Sequence, residues 1–490
     1  MEITEDPTGQ LPVAPGVVAR KAVRSVVALG IRQVFNQGMA FAGGIMLARL
    51  LSPSEFGLYA IVTFLLTFLV AFGDVGFAAS LVRQPEEPAE EDYRAIFTVQ
   101  QILVLAVITL FWIGAPWVAN LYHLPPHNRW VFRLLALSLF CTSFQVVPSA
   151  RLERALLFEK LAMVEVAMSF VFYSTAVVLA WRGVGALSFA IAILARSFTG
   201  AILINCVSPW RLGWRWDWER ARAHLKFGIF YQGIQLIALL TSSFTPFFIG
   251  LLLGTKSVGY INWAQMVSGY AVIGLMMLQR VYLPAFARLQ LQTEALSRFV
   301  EQVIRAANTV AAPVAVLTLV LIEPLTRFVF GPKWLPAVPL FYLLWSTNIF
   351  VPTATPLFAL LNAFGHSRTA FKFALAVMLG TWVLGIPLTL QLGIIGFGIA
   401  AVLVNISNLI LYRIVHSYLS FRILRMVIPA WAIAIAAGIP VYLLLRIRPP
   451  AALPELVAYG ALGLGLFALV ILIHNRADIG KMRSMLLSHT

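Results

Sequence analysis

The amino-acid sequence predicts an all-α polytopic membrane protein of about 14 transmembrane helices. These form two six-helix lobes related by a pseudo-two-fold axis along the membrane normal, followed by two C-terminal helices. Three observations predict it. Of 490 residues, 60% are hydrophobic and 11% charged, with a mean hydropathy of +0.87, whereas a soluble domain carries roughly 25% charged residues. Apolar runs long enough to cross a bilayer, about 20 residues each, recur along the chain. A weak internal repeat divides those runs into two sets.

Taken in order, residues 1–25 are polar and proline-broken, lack the apolar core of a signal peptide, and read as a cytoplasmic tail. The N-lobe, 26–206, holds apolar runs at 26–48, 55–82, 95–118, 131–150, 161–181 and 184–206. Residues 207–224 link the lobes; within "RLGWRWDWERARAHLK" (211–226) three tryptophans alternate with charges, the pattern of a segment lying at the membrane interface. The C-lobe, 225–418, holds runs at 225–251, 258–285, 298–330, 337–363, 369–391 and 394–418. Two further runs, 426–446 and 454–475, make the C-terminal pair in 426–475, and 476–490 is a second cytoplasmic tail. No loop between runs is long enough to fold as an extramembrane domain.

The net charge is +16. On a soluble chain this would suggest nucleic acid; here it reflects basic loops that set orientation, and no nucleic-acid partner is expected. Most of the 36 Lys and Arg fall on one side if both termini are cytoplasmic, which also requires an even number of spans. Arg32, Arg196 and Arg305 are left inside spans. The two cysteines, Cys141 and Cys206, lie in apolar runs and form no disulfide framework or metal motif. There is no P-loop, HExxH, GxSxG or acidic pair on a soluble loop, so neither enzyme activity nor a cofactor nor a metal is expected. Energy would come from an ion gradient, the membrane potential or consumption of the product.

The repeat aligns "LLSPSEFGLY" (50–59) with "LLGTKSVGYI" (252–261), an offset of 202 that matches Gly57 with Gly259. Upstream, "LGIRQVFNQG" (29–38) aligns with "FGIFYQGIQL" (227–236) at an offset of 198. Six spans per half give both halves one orientation, which is a parallel repeat; such transporters bind substrate between halves and alternate access.

Several segments carry a family resemblance: "LARLLSPSEFGLYAIV" (47–62), "GDVGFAASLVRQ" (73–84), Trp216-Asp217 through "KFG" (226–228), "IGLLLGTKSVGYINWAQ" (249–265), "YLPAFARLQ" (282–290), "FGPKWLPAV" (330–338) and "LLNAFGHSRT" (360–369). In this order the chain resembles the polysaccharide-transport branch, the Wzx-like oligosaccharide flippases, of the multidrug/oligosaccharidyl-lipid/polysaccharide flippase superfamily. The resemblance implies a fourteen-helix, two-lobed fold in the bacterial inner membrane. It also implies movement of an undecaprenyl-diphosphate-linked oligosaccharide between leaflets. Partners would be the lipid-linked glycan, membrane lipid and polysaccharide polymerase or export machinery. One departure stands out: many relatives carry an acid where this chain has Thr245, followed by Pro246.

A diphosphate-sugar headgroup needs cationic donors for phosphate and amides for hydroxyls, and arginine's fork suits the phosphate. On the first helix Arg32 and Asn36 share one ridge, with Gln33 and Gln37 on the next. An arginine within a span is a functional candidate, although Arg32 lies only roughly 10 Å in at 1.5 Å per residue and a snorkelling role competes. Arg196, Arg280, Gln235 and Gln265 complete the candidate substrate contacts, and interhelical hydrogen bonding competes for the amides.

Asp74 lies between Gly73 and Gly76 in the second span. The glycines allow a bend, and Asp74 sits at nearly the depth of Arg32, so an Arg32–Asp74 pair broken by the diphosphate is the expected gate. A plain cap on a broken helix competes. Alternative functions on the same fold are a multidrug/cation antiporter or a peptidoglycan-precursor flippase. A polysaccharide polymerase or ligase is disfavoured by the lack of a large loop.

Overall fold

The computed structural model describes residues 15–218, 239–275 and 292–474, apart from 75–76, 78–79 and 82–87, together with Tyr282, 285–286 and 288–289. Among the described residues every regular element is helical. Ten helices are long and apolar enough to cross a membrane, or eleven if one bent pair counts as a span. The fourteen of the sequence reading is not reached by this measure. Part of the difference is local geometry, because two continuous stretches contain a glycine outside helical space.

The clearer case is α12 below, Ser367–Ile406, where Gly393 has φ 61° and ψ −141°. A Cβ on Gly396 would overlap the Leu388 carbonyl, and Gly380 meets Val404. Both pairs straddle Gly393, so the chain reverses there and forms two antiparallel helices. Gly254, with φ 77° and ψ 174°, breaks Gly250–Gly269 in the same region of backbone space. Glycine reaches these angles without the Cβ clash that other residues suffer.

The chain divides into two compact units, Met1–Leu50 with Val62–Leu236, and Leu51–Ile61 with Ile237–Thr490. The first contains α1 (Pro15–Leu50), most of α2 (Pro53–Asp74), α3 (Glu90–Leu121), α4 (Arg129–Ser143), α5 (Val146–Arg154), α6 (Phe158–Trp181) and α7 (Leu187–Val207). Neighbours run α1, α6, α7, α4, α3, so the first span packs on the fifth rather than the second. Gly43 brings α1 close to α6, where a Cβ would overlap the Tyr173 ring. Its apolar clusters join Phe77 and Leu81 to Tyr93, Ile96 and Phe97, and Leu69 to Val104 and Leu139.

The second unit contains α8 (Gly250–Gly269), α9 (Thr293–Leu325), α10 (Val338–Trp345), α11 (Val351–Ala363), α12 (Ser367–Ile406), α13 (Asn408–His416), α14 (Ile423–Ile447) and α15 (Leu453–His474). A π-helical turn, Phe244–Ile249, precedes α8 and contains Thr245 and Pro246. Helix α9 packs against α14, with Trp431 donating its indole N–H to Asn308 Oδ1 at 2.9 Å.

The start of α2 belongs to this unit for a steric reason. Ser52 and Glu55 form a reciprocal cap, with Glu55 Oε2 accepting from the Ser52 backbone N–H at 2.8 Å, and Pro53 opens the helix. One turn later Gly57 lies against α8, where a Cβ would overlap the Thr255 carbonyl oxygen. Trp334, 0% exposed, fills the space beside them. Its ring meets Phe56 at 5.3 Å and stacks on Trp263 at 5.6 Å. Lys333 Nζ donates to the Leu51 carbonyl at 2.6 Å, near the C-terminus of α1, where a cation is favoured. Three of the segments that carry the family resemblance thus meet in one packing hub.

Candidate functional site

The site begins with the polar ridge of α1. Arg32, Gln33, Asn36 and Gln37 are all partly buried, while Phe35 and Phe41 on other faces are exposed. This is the inverted amphipathicity of a helix whose outer face meets lipid. Arg32 Nη1 pairs with Glu165 Oε2 of α6 at 2.7 Å, with side chains 16% and 39% exposed. Arg32 Nε and Asn36 Oδ1 are buried and have no hydrogen-bond partner. The site therefore holds a fixed cation with an unused donor, beside an unused amide acceptor. Glu153, at the end of α5, lies within electrostatic range of Glu165, so two carboxylates share this neighbourhood.

Among the described residues the carboxylate paired with Arg32 is Glu165; the Asp74 that sequence depth pointed to has its side chain outside them. The register explains the pairing. Arg32 meets Glu165 and Gly43 meets Tyr173, so position increases along both helices together and α1 and α6 run parallel. Glu165 is itself a lone acid in the apolar run 161–181, a signal the sequence reading passed over. Gly73 and Asp74 lie in the last turn of α2, but the Asp74 side chain and Gly76 fall outside the described residues.

Arg196 of α7 is exposed and makes no ion pair among the described residues. Its neighbours one turn away, Ala192, Ile193 and Gly200, are buried. Gln265 of α8 is exposed. Arg280 and Gln235 fall outside the described residues. Arg305 is exposed on α9, with Nη2 3.4 Å from Met426 Sδ. His366 stacks on Tyr418 at 4.3 Å beside the start of α12, a packing role.

A second polar cluster lies inside the first unit. Gln101 Nε2 donates to Ser143 Oγ at 2.8 Å, Thr142 Oγ1 to Ser197 Oγ at 3.2 Å, and Gln145 Nε2 to the Ser197 carbonyl at 2.9 Å. Gln100 Oε1 and Gln101 Oε1 are buried without partners. The cluster ties α3 and α7 to the α4–α5 region. The adjacent amides of "VQQI" (99–102) within an apolar run were its sequence signal.

The linker is pinned to the same unit. Arg215 Nη1 pairs with Glu91 Oε1 at 2.8 Å, its backbone N–H donates to Thr98 Oγ1 at 2.9 Å, and Arg94 Nε donates to the Arg211 carbonyl at 3.3 Å. Trp214, Trp216 and Trp218 are left exposed.

A family model described as polysaccharide biosynthesis protein matches residues 46–339, more than half of the chain. The chain belongs to the polysaccharide biosynthesis protein family. Among curated members it is similar to the succinoglycan biosynthesis transport protein ExoT of Rhizobium meliloti, 25% identical over 74% of this chain and 73% of that one. It is also similar to the lipopolysaccharide biosynthesis protein WzxC of Escherichia coli, 23% identical over 78% of each chain. The teichuronic acid biosynthesis protein TuaB of Bacillus subtilis is 21% identical, over 62% of this chain and 64% of that one. The fold of this family member matches that of the lipid II flippase MurJ with a TM-score of 0.71 at 14% identity, covering 93% of this chain and 100% of that one. It also matches an inward-facing multidrug resistance MATE transporter of the MOP superfamily, with a TM-score of 0.60 at 17% identity over 80% and 98% of the chains. The all-α fold expected from the sequence is thus found in a polysaccharide biosynthesis protein, and the chain is a multi-pass membrane protein.

Proposed function

We propose that this protein is a flippase that moves an undecaprenyl-diphosphate-linked oligosaccharide across the bacterial cytoplasmic membrane for cell-surface or exopolysaccharide synthesis. Family membership supports the substrate class, and one observation in the site carries the mechanism. Arg32, largely buried on α1, holds a carboxylate at 2.7 Å and keeps a buried donor unused. A diphosphate entering here displaces Glu165 from the guanidinium and takes up the free Nε, while Asn36 and Gln37 meet sugar hydroxyls.

The reading retains alternating access of the two repeated halves, cytoplasmic termini and a transport role without catalysis. It also retains Arg196, Arg280, Gln235 and Gln265 as further substrate contacts, and the Gly73–Gly76 segment as a bend. Glycan polymerase or export machinery is the partner that would consume the product. The multidrug antiporter and peptidoglycan-precursor flippase share this fold but not the polysaccharide roles in the names of the curated relatives.

The test is reconstitution in proteoliposomes with a fluorescent lipid-linked glycan. Wild type makes the label accessible to an impermeant quencher, and Arg32→Ala does not. Flipping by Arg32→Ala at the wild-type rate removes Arg32 from the mechanism. Absence of flipping by wild type, with drug efflux present, overturns the substrate assignment.

A further inference from the structure

Four helices of the first unit end around a cavity of about 550 Å³, within the size range of small-ligand sites. Its lining includes Tyr93 at the start of α3, Arg151 and Arg154 at the end of α5, Lys160 at the start of α6, and Ser208 after α7. Among the described residues no acidic side chain is part of the lining. We propose that this cavity is a binding site for the phosphate headgroup of an anionic membrane phospholipid, separate from the Arg32 site.

The cations are placed to receive a phosphate. Arg154 is held by donating Nη1 to the Leu81 carbonyl at 2.7 Å. The Arg151 guanidinium lies over the Tyr93 ring at 5.4 Å, which fixes its plane. Arg151 Nη1 forms an ion pair with Glu90 Oε1 at 3.4 Å but is buried with no hydrogen-bond partner, so its donor is unused. An acceptor oxygen in the cavity satisfies that donor, whereas leaving it empty costs the full desolvation of a charged N–H. Lys160 is exposed and makes no ion pair among the described residues. A guanidinium fork and an ammonium point charge lining one cavity are the elements of phosphate recognition.

The depth of the cavity selects a lipid. Glu90–Leu121, Arg129–Arg154, Phe158–Trp181 and Leu187–Val207 are all apolar enough to cross a membrane, so their shared end lies at a membrane surface. From Pro209, on the cavity wall, the chain continues into Trp214 and Trp216, 68% and 65% exposed, as rings at headgroup depth are. Basic pockets between spans at this level take lipid phosphates.

The test is native mass spectrometry of the full-length protein released from phosphatidylcholine vesicles doped with phosphatidylglycerol. Wild type retains phosphatidylglycerol through delipidation. Arg151→Gln and Lys160→Glu each lower its apparent affinity about tenfold, and Arg32→Ala leaves it unchanged. Lys160 is exposed, so its variant keeps the wild-type melting temperature and separates binding from folding. Retention by Lys160→Glu equal to wild type overturns the proposal. So does displacement by inorganic phosphate alone, or preferential retention of a polyprenyl diphosphate from mixed vesicles, which would assign the cavity to the glycan carrier.

Discussion

Gly57 and Gly259 touch each other through a reciprocal contact. A Cβ on Gly57 would overlap the Thr255 carbonyl oxygen, and a Cβ on Gly259 would overlap the Pro53 carbonyl oxygen. Gly57 and Gly259 are 202 positions apart, as are Pro53 and Thr255, and this is the offset that aligns the two halves of the sequence. Segments 53–57 and 255–259 are therefore related by a local two-fold through the crossing, where the backbones approach with no side chain between them.

Gly57→Ala and Gly259→Ala should both destabilise the protein, because the obstructing atoms are backbone and cannot rotate away. Overpacking costs about 1–3 kcal/mol in well-packed cores. Gly38→Ala, with nothing within 4 Å of its Cβ position, serves as the control. Thermal melting in detergent should drop for the first two and stay level or rise for the third.

The Arg32–Glu165 pair predicts an asymmetric result. Glu165→Gln leaves the cation for substrate and should keep flipping measurable. Arg32→Ala should lower flipping about tenfold or more, one missing charge-assisted contact per factor of ten. Loss of flipping in Glu165→Gln as deep as in Arg32→Ala, measured in the same proteoliposome assay, would overturn this asymmetry.

Trp334 fills the hub beside the glycine crossing, so Trp334→Ala should cost about 3–5 kcal/mol, as loss of a buried aromatic does. Lys333→Met, which removes the hydrogen bond to the Leu51 carbonyl but keeps most of the stem, should cost less. Melting temperatures and yields of folded protein rank the two.

The Gln101–Ser143 hydrogen bond should prove worth little for its burial. Interhelical bonds in membranes average roughly 0.6 kcal/mol. A double-mutant cycle with Gln101→Leu and Ser143→Ala, read by unfolding in detergent mixtures, measures the coupling.

Much of this fold was legible in the sequence because the bilayer makes length and hydropathy decisive. The run boundary between 369–391 and 394–418 falls at Gly393, where the chain turns. The 202 offset was legible because Gly57 and Gly259 have no tolerated substitute at a backbone crossing. The partner of Arg32 was not legible. Depth along a helix can be counted from its end, but the choice of neighbour depends on packing around the helix axis. In this chain α1 packs against α6, which lies more than 100 residues further on and which no count along α1 could select. The same limit hid the cavity at Arg151: its cations come from separate segments that only packing brings together.

The reversal at Gly393 has a consequence for how the chain is made. Two apolar helices joined through one glycine leave no polar stretch for the insertion machinery to hold on one side while the other helix waits. They must enter the membrane together, as a single hairpin. An epitope or protease site placed at that turn would therefore disturb biogenesis before it reported on topology.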